Sequence, residues 1–166
     1  MKIIPTLQEL CSLVGQEISV SDWLLIEQER IDQFAQSTGD HQWIHTDPIK
    51  AASGPFKTTI AHGFLTLSLL PWFFDSSIVV QDVKMGVNYG ANKIRFMSPV
   101  PVGSKIRAGA KLIQVDDIAG GAQVVVETTF EVEFSQFRSW KSHNENHYAE
   151  ANPINIDTMF EAFKLK

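Results

Sequence analysis

At 166 residues the chain is sized for one domain with a core of its own, and its composition, 44% hydrophobic and 20% charged, is that of an ordinary globular protein. A formal net charge of −5 gives no global reason to expect nucleic-acid binding. Cys11 stands alone, which excludes an intrachain disulfide and a cysteine-based metal site, and it reads as a buried or half-buried thiol rather than a nucleophile.

The N-terminus lacks the charged, apolar and cleavage-site regions of a signal peptide, so none is expected. Residues 3–14 place Ile3, Ile4, Leu7, Leu10, Leu13 and Val14 at roughly helical spacing, and Gly15 stops the pattern. Residues 17–26 start by alternating and predict a strand. Ile31, Phe34, Ala35 and Thr38 then fall at i, i+3, i+4 and i+7, predicting an amphipathic helix over 27–37 that Gly39 ends. Residues 39–58 carry Gly39, Pro48, Gly54 and Pro55 and read as a long loop with a short helix over 48–53. A loop of that length inside a compact domain points to function, and Trp43 and Ile44 argue against disorder.

Residues 59–70 predict a helix that is apolar on every side, so it must be buried on most faces. Pro71 ends or kinks it. The longest apolar run, Phe64 to Phe74, is interrupted by Thr66, Ser68 and Pro71 and is too short to span a bilayer. No membrane association is expected, and a cytoplasmic protein is the default. Strands follow over 83–90 and 92–98, with Gly90 suggesting a bulge between them. Two alternating runs, 104–115 and 122–134, flank a turn at 116–121. Their clean polar faces predict an antiparallel sheet with one solvated side. A buried helix beside several such strands implies an α+β domain in which the sheet curls around the helix. The domain is expected over 1–134. Residues 135–152 lose the period, and 154–165 suggest a small amphipathic helix in a divergent tail.

The chemistry concentrates in 38–70. Asp40 and His45 lie five positions apart in the loop. Either alone is more often structural; together they are an acid/base pair able to share a water. Asp47, before Pro48, reads as a turn or cap. Gly63 falls in the first turn of the buried helix, where glycine costs stability. A ligand approaching the backbone would explain it, as would tight packing against the sheet. A helix N-terminus also offers free N–H groups to an oxyanion. His62 reads as a packed histidine. A metal site from His41, His45 and His62 fits no common spacing, so no metal is expected. Between Lys84 and Lys111 six basic residues (Lys84, Lys93, Arg95, Lys105, Arg107, Lys111) occur with no acidic one. This stripe is either a solvated strand face or a dock for a phosphate-bearing ligand.

The stretch Ser-Thr-Gly-Asp-His-Gln-Trp-Ile-His-Thr-Asp (37–47) resembles the hydratase-2 motif of MaoC-like dehydratases and (R)-specific enoyl-CoA hydratases. Ile60–Leu65 and Asn88–Phe96 resemble two later signatures, and the most similar branch is the nodulation-protein-N-like one. The resemblance covers roughly 15–134. It implies a hot-dog fold, an antiparallel sheet wrapped around a long central helix, that is usually dimeric. It implies that Asp40 and His45 activate water for syn addition to a 2-enoyl-CoA, giving an (R)-3-hydroxyacyl-CoA, or catalyse the reverse dehydration, without a cofactor. The Gly63 N–H would polarise the thioester carbonyl. His62, Asn88, Tyr89, Gly90, Asn92, Lys93 and Arg95 are the substrate-binding residues that the signatures imply. The implied partners are an acyl-CoA thioester and a second copy of the chain.

The sequence departs from the family pattern at Gln42-Trp43, where Asn-Pro is usual, and in its tail, which does not look like the family's closing strand. Trp43 in the motif favours a rival reading, a non-catalytic hot-dog module that binds acyl-CoA or an acyl-carrier domain. A hot-dog thioesterase is a third.

Overall fold

The structure, a computed structural model, describes residues 1–133 and the backbone of Ile154–Phe163. A short parallel pair, β1 (Lys2–Ile4) with β4 (Ile78–Val80), lies apart from the main sheet. The main sheet is antiparallel and runs β2 (Glu17–Val20), β6 (Lys105–Ile118), β7 (Gly121–Glu133), β8 (Ile154–Phe163), β5 (Met85–Ile94). A two-residue β3 (Leu24–Leu25) also pairs with β6. This is the expected α+β hot-dog architecture, with helices against one face of the sheet.

The hairpin β6–β7 forms the backbone of the domain. Thirteen consecutive register pairs run from Lys105↔Glu133 to Ile118↔Gly121, with one bulge between Leu112 and Gln114. Ile106, Ala108, Ala110 and Leu112 of β6, and Ala122, Val124, Val126, Thr128 and Phe130 of β7, are buried, following the alternation read from the sequence. The expected turn at 116–121 is mostly strand; only Ala119 and Gly120 turn.

Helix α2 (Gln28–Thr38) buries Ile31 and Ala35. It closes at Gly39, whose left-handed backbone (φ 77°) lets its N–H reach the Ala35 carbonyl at 2.8 Å. The expected central helix is divided in two. α5 spans Gly63–Ser68 and α6 spans Leu70–Ser77. Thr59–Ala61 are not helical; Ile60 bridges to Pro101 instead. Pro71 does not end the helix but sits in the first turn of α6, where its missing N–H costs nothing. The Leu69 N–H turns back to the Thr66 and Leu67 carbonyls, which makes the break. Leu65, Leu69, Leu70 and Phe73 pack with Ile26, Ile31, Val100, Ile106, Ala108 and Phe130. Phe64 escapes the expected burial and is 63% exposed.

Four further expectations are corrected. Residues 3–14 divide into β1 and a five-residue α1 (Leu7–Cys11) that buries Leu10 and leaves Cys11 exposed on its solvent side. The strand expected over 17–26 is broken into β2 and β3. The two strands expected over 83–98 are one, β5, ending at Ile94, with bulges between Asn88 and Gly90 and between Ala91 and Lys93. The tail segment expected as a helix is β8, inserted between β7 and β5 with register pairs such as Val126↔Thr158 and Ala91↔Thr158. It therefore closes the sheet. The period-free stretch 135–152, and with it the domain boundary expected at 134, lies outside the described residues.

Phe130 is fully buried and meets Phe73 edge-to-face at 5.6 Å. Truncating either ring should open a cavity costing about 3–5 kcal/mol. The Phe73→Ala and Phe130→Ala losses should be non-additive, because the two sites share one contact. Urea unfolding of the singles and the double measures both; additive losses would remove the pairing.

Candidate active site

The loop after α2 folds into two short helices, α3 (Trp43–Thr46) and α4 (Pro48–Ser53). Asp47 caps α4, its Oδ1 accepting from the Lys50 N–H at 2.9 Å, as its place before Pro48 suggests. Asp40 accepts from the Gln42 N–H at 3.3 Å, an Asx-type turn that presents its carboxylate at the surface.

His45 lies on α3 and is buried. Its Nδ1 is 2.7 Å from the Ile60 carbonyl. A carbonyl only accepts, so Nδ1 carries the proton and the neutral ring presents a bare Nε2. Burial pushes the His45 pKa below its ordinary value. The bond to Ile60 raises it, proximity to His62 lowers it further, and Asp40 opposes that. The balance favours the neutral ring.

His62 is the N-cap residue of α5 and is buried. Its ring stacks on His45 with centroids 3.7 Å apart and planes 24° apart, and Phe34 packs against it at 5.1 Å. The His62 Nε2 lies 3.0 Å from the Asp40 carbonyl and 3.9 Å from its carboxylate. The structure thus brings Asp40, His45 and His62 together, each offering an atom within 4.8 Å of the others. His41 is exposed and stands outside that group. The His45 Nδ1 and His62 Nε2 both serve carbonyls, which leaves the bare His45 Nε2 and the Asp40 carboxylate as acceptors and the His62 Nδ1 buried without a partner among the described residues.

A cleft of about 300 Å³ opens beside His45, lined by Ile60, Ala61, Gly63, Thr66, Phe96, Met97 and Val100 among others. Gly63 is the first residue of α5, where N–H groups have no intrahelical partner. Its neighbour is Phe96. A Cβ on Gly63 would lie 2.7–2.9 Å from that ring. The glycine is therefore required by packing, but against an aromatic at the cleft mouth rather than against the sheet. Phe96 in turn meets Phe64 edge-to-face at 5.6 Å. The sequence singled out neither aromatic as part of the site; their only signal was apolar character in a motif region.

Trp43 does not enter the cleft. Its ring lies over Gly54, where a Cβ would approach to 2.8 Å, and Lys50 stands 5.2 Å above it. Asn88, Tyr89, Gly90, Asn92 and Lys93 lie on β5, with Arg95 just beyond; all are exposed and none lines the cleft. The positive stripe is not continuous in space. β5 and β6 are separated by β7 and β8, and two of the β6 cations are matched across the hairpin. Arg107 donates to Glu131 at 2.7 and 2.9 Å and stacks on Trp23, and Lys105 pairs with Glu133 at 3.4 Å. Lys84, Lys93 and Arg95, on or beside β5, keep the character of a docking group, and Lys111 lies apart from them on β6.

Comparisons with known proteins agree with this geometry. Residues 10–134 match the family model described as a MaoC like domain. The 3-hydroxyacyl-thioester dehydratase Z of Mycobacterium tuberculosis is 50% identical over 136 residues, 81% of this chain and 90% of that protein. Nodulation protein N of Rhizobium leguminosarum bv. viciae is 44% identical over 129 residues, 76% of this chain and 78% of that one. An unliganded R-hydratase from Pseudomonas aeruginosa shares the fold at a TM-score of 0.66 and 18% identity, over 92% of this chain and 83% of that one.

Two outcomes follow from the site. Gly63→Ala should lower the melting temperature, and adding Phe96→Ala should restore most of the loss by freeing the space; no restoration would show that the ring is not the constraint. For His45, the unfolded ring titrates near its ordinary value of about 6.5 and the folded ring lower, so its share of stability is full above about 6.5 and is lost as pH falls toward the folded value. The His45→Gln variant should then lose less stability than the native chain between about pH 7.5 and 5.5, in urea midpoints. Equal losses would contradict the lowered pKa.

Proposed function

The chain belongs to the MaoC-like dehydratase family, and we propose that it catalyses the reversible addition of water to a 2-enoyl-CoA, giving an (R)-3-hydroxyacyl-CoA. One observation carries this reading: a buried, neutral His45, with Nδ1 committed to Ile60, lines the cleft, and the surface carboxylate of Asp40 lies within 4.8 Å of its ring. Such a pair can hold a water from two sides. His45 Nε2 takes a proton as the water oxygen bonds to C3. The π electrons move through C2 and C1 onto the thioester oxygen. That oxygen develops negative charge against the Gly63 N–H, at the start of α5, where the helix dipole favours an anion. C2 then takes a proton from the pair on the face that received oxygen, giving syn addition. Dehydration runs the same steps backwards.

Trp43 was the reason to favour a non-catalytic binding module, and its place against Gly54 and Lys50 leaves the cleft clear. A thioesterase would need water aimed at C1, whereas an acid/base pair of Asp40 and His45 suits proton transfer at C2 and C3. The working unit is a homodimer. Every residue of β5 from Met85 to Lys93 is exposed, and β5 ends the sheet with one edge unpaired among the described residues. Symmetric pairing of that edge would cover it and bring one chain's Asn88–Arg95 signature toward its partner. Lys93 and Arg95 would then meet the phosphates of the CoA.

Loss of the enoyl absorbance of crotonyl-CoA and longer 2-enoyl-CoAs tests the reaction. Asp40→Asn and His45→Gln should each cut turnover by roughly 10²–10⁴-fold with the fold retained. Near-native turnover in either folded variant would refute the assignment. Lys93→Ala and Arg95→Ala should raise KM more than they lower kcat, because binding of the nucleotide end is the same in ground and transition states. A monomer by light scattering at micromolar concentration would contradict the dimer.

A further inference from the structure

We propose that Gln28 is a positioning residue for His45, closing a ring of hydrogen bonds that fixes the imidazole against residues 59–61. The proposal rests on the catalytic role assigned above to His45, but its geometry stands independently. Gln28 is the first residue of α2 and does not line the cleft. Its side-chain Nε2 donates to the His45 carbonyl at 2.8 Å and to Asp32 Oδ1 at 2.8 Å. Its Oε1 accepts from the Thr59 hydroxyl. Thr59 is 1% exposed and is joined covalently to Ile60, whose carbonyl accepts from His45 Nδ1.

The ring therefore runs from the Gln28 amide to the His45 main chain, through the imidazole to the Ile60 carbonyl, and back through Thr59 to the Gln28 amide. The two segments that hold His45 come from different parts of the sequence, α3 and residues 59–61. One backbone bond also joins them, Ile60 N–H to the Ile44 carbonyl at 3.0 Å. Residues 59–61 are tied further to the loop after β5 by Val102 N–H to Thr59 and Ala61 N–H to Val100, at 2.9 and 2.8 Å. Gln28 is the side chain that spans both segments at once. Only a primary amide can do so, because the task needs two donors and an acceptor at the end of one side chain. Asp32 uses the second N–H and fixes which way the amide faces.

The consequence is angular. Without the clamp, α3 and residues 59–61 remain joined by a single backbone bond and by the imidazole itself. The His45 ring is then free to tilt, and a displacement of about 1 Å in a catalytic group can cost about 10²-fold in rate. Loosening also admits water to a ring that burial now keeps neutral, so its titration moves back toward the ordinary value. The groups facing His45 are Asp40 and His62, with Asp32 beyond Gln28, and the proposed substitutions leave all three in place.

The test uses the full chain with Gln28→Met, which keeps length and removes both donors and acceptor, and with Thr59→Val and Thr59→Ser. Folding is checked by far-UV circular dichroism and thermal melting. Two readouts follow. The titration and tautomer of His45 are read by ¹⁵N NMR of the imidazole, and kcat and KM are read with crotonyl-CoA. Gln28→Met and Thr59→Val should raise the His45 pKa, reduce the Nδ1–H tautomer, and lower kcat about 10-fold or more with KM within about threefold. Thr59→Ser, which keeps the hydroxyl, should match the native chain in both readouts. A merely structural clamp would lower the melting temperature and leave the His45 titration unchanged. That result overturns the proposal, whatever happens to kcat. If Gln28→Met does not fold, Thr59→Val, which exchanges a hydroxyl for a methyl, decides alone. If the native chain turns over no enoyl thioester, the functional reading fails, and the NMR arm still decides the clamp.

Discussion

The hydrogen bond from His45 Nδ1 to the Ile60 carbonyl is the constraint on which the site depends. It joins the loop after α2 to the segment that leads into α5, so it sets the distance between His45 and the helix start. It fixes the tautomer, and with it the basic nitrogen. It is also made in a buried place, where an unmet donor or acceptor costs roughly 1–3 kcal/mol, so the arrangement resists exchange with water. A different residue at position 45 would disturb the loop as well as the chemistry. That is why the His45→Gln comparison needs the folded fraction and not total activity.

The stacking of His62 on His45 is the second layer of the same device. Two imidazoles 3.7 Å apart cannot both be charged without strong repulsion, and burial already opposes charge on His45. His62 answers by donating to the Asp40 carbonyl, which ties it to the turn that presents the carboxylate. One buried ring therefore touches both members of the pair. From sequence it read as a packed histidine, and packed it is; its neighbours are what give the packing a chemical effect. The resemblance implied instead a substrate-binding role for it.

The parts of this protein legible in sequence were those governed by local period or by a self-contained motif. The β6–β7 hairpin and α2 were visible because burial alternates, or recurs at helical spacing, along each element. Asp40 and His45 were visible as candidates because they lie five positions apart in one loop. The rest required knowledge of what lies opposite. Ile156, Met159, Phe160 and Phe163 fit a helical period as well as Ile154, Ile156 and Phe160 fit a strand, and pairing with both β7 and β5 decided for the strand. The positive stripe was continuous in sequence, but the sheet order separated it, and β7 supplied carboxylates that a one-dimensional count of charges could not place. Gln28 carried no signal at all, because an amide on an amphipathic helix is unremarkable until its three partners are known.

The departure at Gln42-Trp43 shows how the site tolerates change inside its own motif. Between Asp40 and His45 the chain must make a turn and enter α3. An Asn-Pro pair would do this by restricting the backbone. Here the Gln42 N–H bonds to Asp40 Oδ1, and its carbonyl receives the His45 N–H at 2.9 Å, so hydrogen bonds supply the turn instead. The bulky Trp43 is then turned outward onto Gly54, a position where a Cβ would collide with it. The two positions depend on each other: the indole needs the missing side chain at 54, and the Asp47 cap on α4 holds Gly54 where the indole needs it. The ends of the motif are anchored separately, Asp40 by Gln42 and His62, His45 by Ile60. None of these anchors is a side chain at 42 or 43: Gln42 contributes only its main-chain N–H, so the placing of carboxylate and imidazole does not rest on the side chains of the altered pair.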